Sequence, residues 1–136
     1  MTTLGKFGAL AENFSHVADF MIVYTEEAHP EEKGDFTGLA FEVETHKTLE
    51  DRVAAARYML EAEPEAFKHV KVVVDGMNNL GSIFYATIPE RQYIVHNGKT
   101  AFVGGLGPFK HVESLRRVKK WLTTYEQEVM KKRQFA

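Results

Sequence analysis

Residues 88–105, IPERQYIVHNGKTAFVGG, constrain this chain more than any other stretch. A proline leads directly into a strand-like run that ends Tyr93-Ile94-Val95-His96, rich in β-branched and aromatic residues. Asn97-Gly98 follows, the dipeptide best able to take the positive φ angles of a two-residue hairpin turn. Residues 100–103 read as the return strand, and Gly104-Gly105 ends it. An antiparallel hairpin with a proline at its entrance is therefore the fixed point around which the rest must fold.

The remaining elements follow from apolar spacing. Leu4, Phe7, Leu10 and Phe14 recur every three or four residues and predict a first helix. Residues 20–24, FMIVY, form an apolar run of strand length. Residues 30–38 are charged, hold two glycines and read as a loop. Thr48 is an N-cap, with Asp51 three residues on in capping-box position. Leu49, Val53, Ala56 and Leu60 give that helix its expected buried face. Residues 70–74 form a second strand ending at Asp75, and residues 77–85 a short helix or ordered loop. After the hairpin, Leu115, Val118, Leu122, Tyr125 and Val129 mark the buried side of a final helix. Short βα units feeding a hairpin and a last helix predict an α/β sandwich around a mixed sheet, as a single domain over residues 1–136.

Composition removes several function classes. A net charge of −2 gives no electrostatic case for nucleic acid or an anionic membrane. The basic residues near the C-terminus, ending in Lys131-Lys132-Arg133, suit a solvated helix end, where cations meet the negative pole of the dipole. No apolar run reaches the roughly 18 residues of a membrane span, and no signal peptide is visible. The chain has no cysteine, which rules out disulfides, thiolate metal sites and thiol catalysis by its own residues. Its six histidines lack the i, i+4 helical pairing of a zinc motif, and GGLGP closes a hairpin rather than opening a phosphate loop. Localisation stays open.

This order of elements resembles a thioredoxin fold of the peroxiredoxin-like kind. In such folds a cis-proline precedes the hairpin and borders the active site, and Pro89 stands in that place. The fold begins with a strand that ends in a reactive turn, followed by a helix. This chain begins with that helix, so the first strand is expected to be missing. The motifs VADFMIVYTEEAH, H-x-x-LEDR, VVVDGMNN, Pro-Glu-Arg-x-Tyr and G-K-x-x-x-x-G-G-x-G-P, in this order, resemble the iodothyronine deiodinases. No one of them decides, but five in sequence are specific.

The resemblance implies a reductive removal of iodide from thyroid hormones or related haloaromatics, with a thiol reductant as cosubstrate and no bound cofactor. It implies a selenocysteine in the turn before the first helix, a few residues upstream of Met1 and absent here. The expectation is that a UGA selenocysteine codon was read as stop and the next in-frame Met taken as the start, leaving an inactive chain. It further implies an N-terminal membrane anchor, also absent, and homodimers.

The chemistry needs a soft nucleophile for iodine and a proton for the ring carbon left behind. Histidine is the natural proton carrier near neutral pH. On the residues alone, His29 is first a loop histidine beside Pro30, and His46 a residue flanking the Thr48 cap. The resemblance assigns His29 to substrate binding or proton transfer and His46 to the proton relay. Of Glu26 and Glu27, alternation lets one face inward, and the resemblance points to Glu27. Tyr24 reads as core or pocket wall. Glu90 matches a position of the proton network, and Arg91 is a structural ion-pair former or a substrate contact. Two departures bear on substrate: EEKGDF stands where the family commonly has Asp-Gly-Trp, and Leu106 where some members carry arginine. The alternatives are a non-catalytic thioredoxin-like module binding a ligand or partner, and a peroxiredoxin-like thiol reductase when full length.

Overall fold

The computed structural model describes residues 2–27, 45–107 and 109–136. Helix α1 (Thr3–Phe14) starts at Thr2, whose hydroxyl accepts from the Gly5 amide at 2.9 Å. It buries Leu10, Ala11 and Phe14. Strand β1 (Phe20–Tyr24) follows. Helix α2 (Leu49–Ala62) opens with the expected capping box. The Asp51 amide donates to Thr48 Oγ1 at 3.1 Å, and the Thr48 amide donates to Asp51 Oδ2 at 3.0 Å. A 3-10 turn (Pro64–Phe67) leads into β2 (Val70–Val74). Residues 77–85 resolve into a short helix, α3 (Leu80–Tyr85). The hairpin is β3 (Tyr93–His96) and β4 (Lys99–Val103). Asn97 (φ 52°) and Gly98 (φ 71°) both take the positive φ that an Asn-Gly turn provides. Helix α4 (His111–Gln134) closes the order, with Lys131, Lys132 and Arg133 in its last turn.

Among the described residues the strands pair as two separate two-stranded sheets, not as one mixed sheet. β1 and β2 run parallel, Phe20 beside Val70 and Tyr24 beside Val74. β3 and β4 run antiparallel, with an irregularity between Ile94 and Val95. What joins the two pairs is a shared helical layer. Phe20, Leu10, Ala11, Phe14, Leu115, Val118 and Leu122 form one buried cluster, and Val70, Ile94 and Phe102 pack against it. Apolar burial needs only a common face, whereas a continuous sheet needs edges about 4.8 Å apart with aligned amides. The first condition is met between the pairs and, among the described residues, the second is not.

Helix α2 is rotated from its expected orientation. Its buried residues are Arg52, Ala56 and Met59, while Leu49 is 45% exposed and Val53 and Leu60 are half-buried. Two contacts explain the rotation. Met59 completes a second apolar cluster with Ala66 and Phe67, and the Arg52 guanidinium finds backbone carbonyls inside. Helix α1 meets the 3-10 turn closely: a Cβ on Gly8 would sit 2.6 Å from the Ala66 carbonyl oxygen.

Candidate active site

The parallel pair sets the site. Its hydrogen-bond ladder runs one step past the end of β2, where the Asp75 amide donates to the Tyr24 carbonyl at 2.8 Å. Chain segments leaving these C-terminal ends, and the N-terminal turn of α2, meet in one place. Ligand sites of parallel α/β sheets lie at this edge.

Arg52 is the hub. It is 2% exposed. Its Nη1 donates to the carbonyls of Asp75 (3.0 Å) and Gly76 (2.8 Å), and its Nε donates to His46 Nδ1 (3.3 Å). All three acceptors are neutral. The Asp75 carboxylate turns the other way and accepts from the amides of Gly81 and Ser82, both at 3.0 Å, which anchors the start of α3.

His46 lies beside Tyr24, ring centroids 5.8 Å apart and planes 37° from each other. The Tyr24 hydroxyl donates to Glu27 Oε1. Burial, then the hydrogen bond to Glu27 and that carboxylate's charge, push the Tyr24 phenol well above its ordinary value, outweighing the opposite pull of Arg52. Desolvation pulls His46 below the ordinary 6.5, and the Arg52 charge adds to this against Glu27 and Asp51. The second ring nitrogen, Nε2, is enclosed and has no hydrogen-bond partner among the described residues. The group is thus an uncharged phenol, an uncharged imidazole, a carboxylate and a buried guanidinium.

Tyr24, Glu27 and His46 are therefore brought together as a set. His29 lies outside the described residues. Glu90 has a different described partner: its Oε1 stands 2.8 Å from Nδ1 of His111, the first residue of α4. Gln92 Nε2 lies 2.6 Å from the same nitrogen. One ring nitrogen carries either a proton or a lone pair, so it cannot donate to the carboxylate and accept from the amide together. Gln92 Oε1 is buried without a partner, so turning the amide over gives Nδ1–H two acceptors. Gly107 permits this packing; a Cβ there would lie 2.3 Å from Glu90 Cγ. Arg91 Nη1 donates to the Ala86 carbonyl at 3.4 Å. Pro89 follows a cis peptide bond. Leu106, beyond the hairpin, is 42% exposed.

Three residues escaped the sequence reading as site components: Arg52, Asp75 and His111. Each left a signal. Arg52 heads the 52/56/59 stripe, Asp75 ends an apolar strand, and His111 begins the 111/115/118/122 stripe of α4.

Residues 1–126 match the family described as iodothyronine deiodinase. The chain belongs to the iodothyronine deiodinase family. It is similar to the type II iodothyronine deiodinases of Sus scrofa (42% identical over 126 residues) and Homo sapiens (42% over 125), each match covering 88% of this chain and 44% of the relative. It is also similar to the type I iodothyronine deiodinase of Xenopus laevis, 39% identical over 106 residues, 78% of this chain and 40% of that protein. The chain thus spans less than half the length of these deiodinases. Among its described residues, no helix is long and apolar enough to cross a membrane.

Proposed function

We propose that these 136 residues carry the substrate-binding and proton-handling part of a thioredoxin-like reductive deiodinase acting on iodothyronines or related iodinated phenols. The observation that carries this is the convergence of Tyr24, Glu27 and His46 at the C-terminal edge of the parallel pair, in a chain of the deiodinase family. The chain holds no cysteine, so the soft nucleophile, a selenocysteine or cysteine, comes from sequence outside these residues, and a thiol reductant regenerates it. That nucleophile takes the iodine, and the ring carbon receives a proton.

In this reading His46, Glu27 and Glu90 handle protons near the reacting carbon, while Tyr24, His29 and Arg91 contact the substrate beside Pro89. Tyr24 and His46 offer a phenol and an imidazole surface to an aromatic ring, with Glu27 fixing the phenol. Two such chains pair as a homodimer. The test is iodide release, with dithiothreitol as reductant, by the complete reading frame carrying selenocysteine or cysteine, against its His46→Gln variant. Release that falls at least tenfold in the variant supports the reading; no release by the complete protein ends it. The lack of cysteine favours a second reading, a non-catalytic module that binds an aromatic ligand. Under it, the complete protein binds iodothyronine and releases no iodide.

A further inference from the structure

We propose that Arg52 is a positioning residue that locks His46 into one tautomer, lone pair on Nδ1 and proton on Nε2, so that His46 acts as an uncharged hydrogen-bond donor to the ligand. This rests on the placement of His46 in the active site proposed above, and it replaces proton transfer by His46 with hydrogen-bond donation from it.

The geometry leaves the ring little choice. Arg52 cannot lose a proton in the accessible pH range, so its Nε–H is a permanent donor. It points at Nδ1 from 3.3 Å. A proton on Nδ1 would set two N–H groups against each other. The guanidinium cannot swing away cheaply, since Nη1 is tied to two carbonyls and the side chain is 2% exposed. The proton of the neutral ring must then sit on Nε2. That atom is enclosed and lacks a partner among the described residues, the state of a donor awaiting an acceptor. The groups acting on the ring are Tyr24 on β1, Glu27 after it, and Asp51 and Arg52 on α2. Burial and Arg52 outweigh the two carboxylates and hold the imidazole below its ordinary value.

A ring so held is a poor relay. Passing a proton through an imidazole requires uptake at one nitrogen as the other releases, and Nδ1 is blocked. What remains is donation from Nε2–H to an oxygen that gains negative charge, a role in which a neutral imidazole serves well in a desolvated site. The acceptor chemistry this fits is the phenolate oxygen of an iodinated phenol. The proton for the ring carbon then comes from another group.

The experiment uses the 136-residue chain labelled with 15N, and needs no activity. Long-range proton–nitrogen spectra of wild type at neutral pH read the His46 tautomer directly. A lone-pair nitrogen at Nδ1 and a protonated nitrogen at Nε2 are expected; a proton on Nδ1, or a mixture of tautomers, overturns the proposal. In Arg52→Gln the single tautomer is expected to give way to a mixture and the protonation midpoint to rise; Arg52→Lys, which keeps the charge and loses the Nε donor, should lose the tautomer lock while shifting the midpoint less. An unchanged tautomer in a folded Arg52→Gln overturns the proposal, and if neither variant folds the wild-type spectrum decides alone. Adding 3,5-diiodotyrosine to the same sample separates this inference from the functional reading. A fixed Nε2–H tautomer without any ligand-induced shift retains the positioning role and counts against the ligand site.

Discussion

Asp75→Asn should destabilise the protein by about 2 kcal/mol. The carboxylate accepts two amides, Gly81 through Oδ1 and Ser82 through Oδ2, each at 3.0 Å, in a residue 9% exposed. Hydrogen bonds to a charged group contribute about 1.5–3 kcal/mol, and a buried donor left without an acceptor costs about 1–3 kcal/mol. Asparagine keeps one acceptor oxygen and sets an NH2 against the other amide, so one of the two bonds is lost and one weakened. Alanine loses both and should cost about 3–5 kcal/mol by the same figures. With a urea slope of about 1–3 kcal/mol per molar, the Asn variant should unfold about 1 M earlier. Urea titrations at neutral pH, followed by circular dichroism, measure both. A loss under about 0.5 kcal/mol for Asp75→Asn, or equal losses for Asn and Ala, would refute the claim that the paired amides fix the start of α3.

His46 makes stability depend on pH with a definite sign. Its folded value lies below the unfolded 6.5, so the unfolded chain binds the proton first, and stability should fall as pH drops through the window just below 6.5. His46→Gln should flatten that part of the stability-versus-pH curve, read by thermal melts from pH 7 to 5. Asp51 is held below its ordinary 3.8 by the amides of Lys47 and Thr48, so its stabilising contribution is present above that value and disappears in stronger acid; Asp51→Asn should remove this acid-side slope. Thr48→Ala removes the acceptor of the Asp51 amide and should cost about 1 kcal/mol in urea unfolding. Gly8→Ala gains up to about 1 kcal/mol of helix propensity but forces a methyl to 2.6 Å from backbone at Ala66, a clash worth about 1–3 kcal/mol, so the net change should be a loss.

Local signals in the sequence translated well into elements. The FMIVY and VKVVV strands, the Thr48 box and the Asn-Gly turn each depend on neighbours within a few residues. The failures all involve distance. Leu49 heads the more apolar stripe of α2, yet the inward position goes to Arg52, because two carbonyls 23 and 24 residues away satisfy its charge. Hydropathy assigns arginine to the surface and cannot register those acceptors. The joining of strands into one sheet likewise depends on edges that periodicity does not describe. At the site, Tyr24, Glu27 and His46 are visible as residues and the family likeness singles them out, but their convergence depends on the fold. The Glu90 partner could not be read, since His111 reaches it from a helix that starts 21 positions later. His29 lies outside the described residues.

Among the described residues each of the four strands has a single neighbour. For β1 this has a practical side. FMIVY is uncharged, free of proline and rich in β-formers, and its outward side chains Met21 and Val23 are 54% and 44% exposed. Such a run, hydrogen-bonded along one side only, is the kind of strand that templates growth by further chains. On the paired side, the exposed Lys71 of β2 stands in register with Met21 and places a cation beside that outward residue. As concentration rises, the side of β1 away from β2 is therefore the place where a second chain would add first.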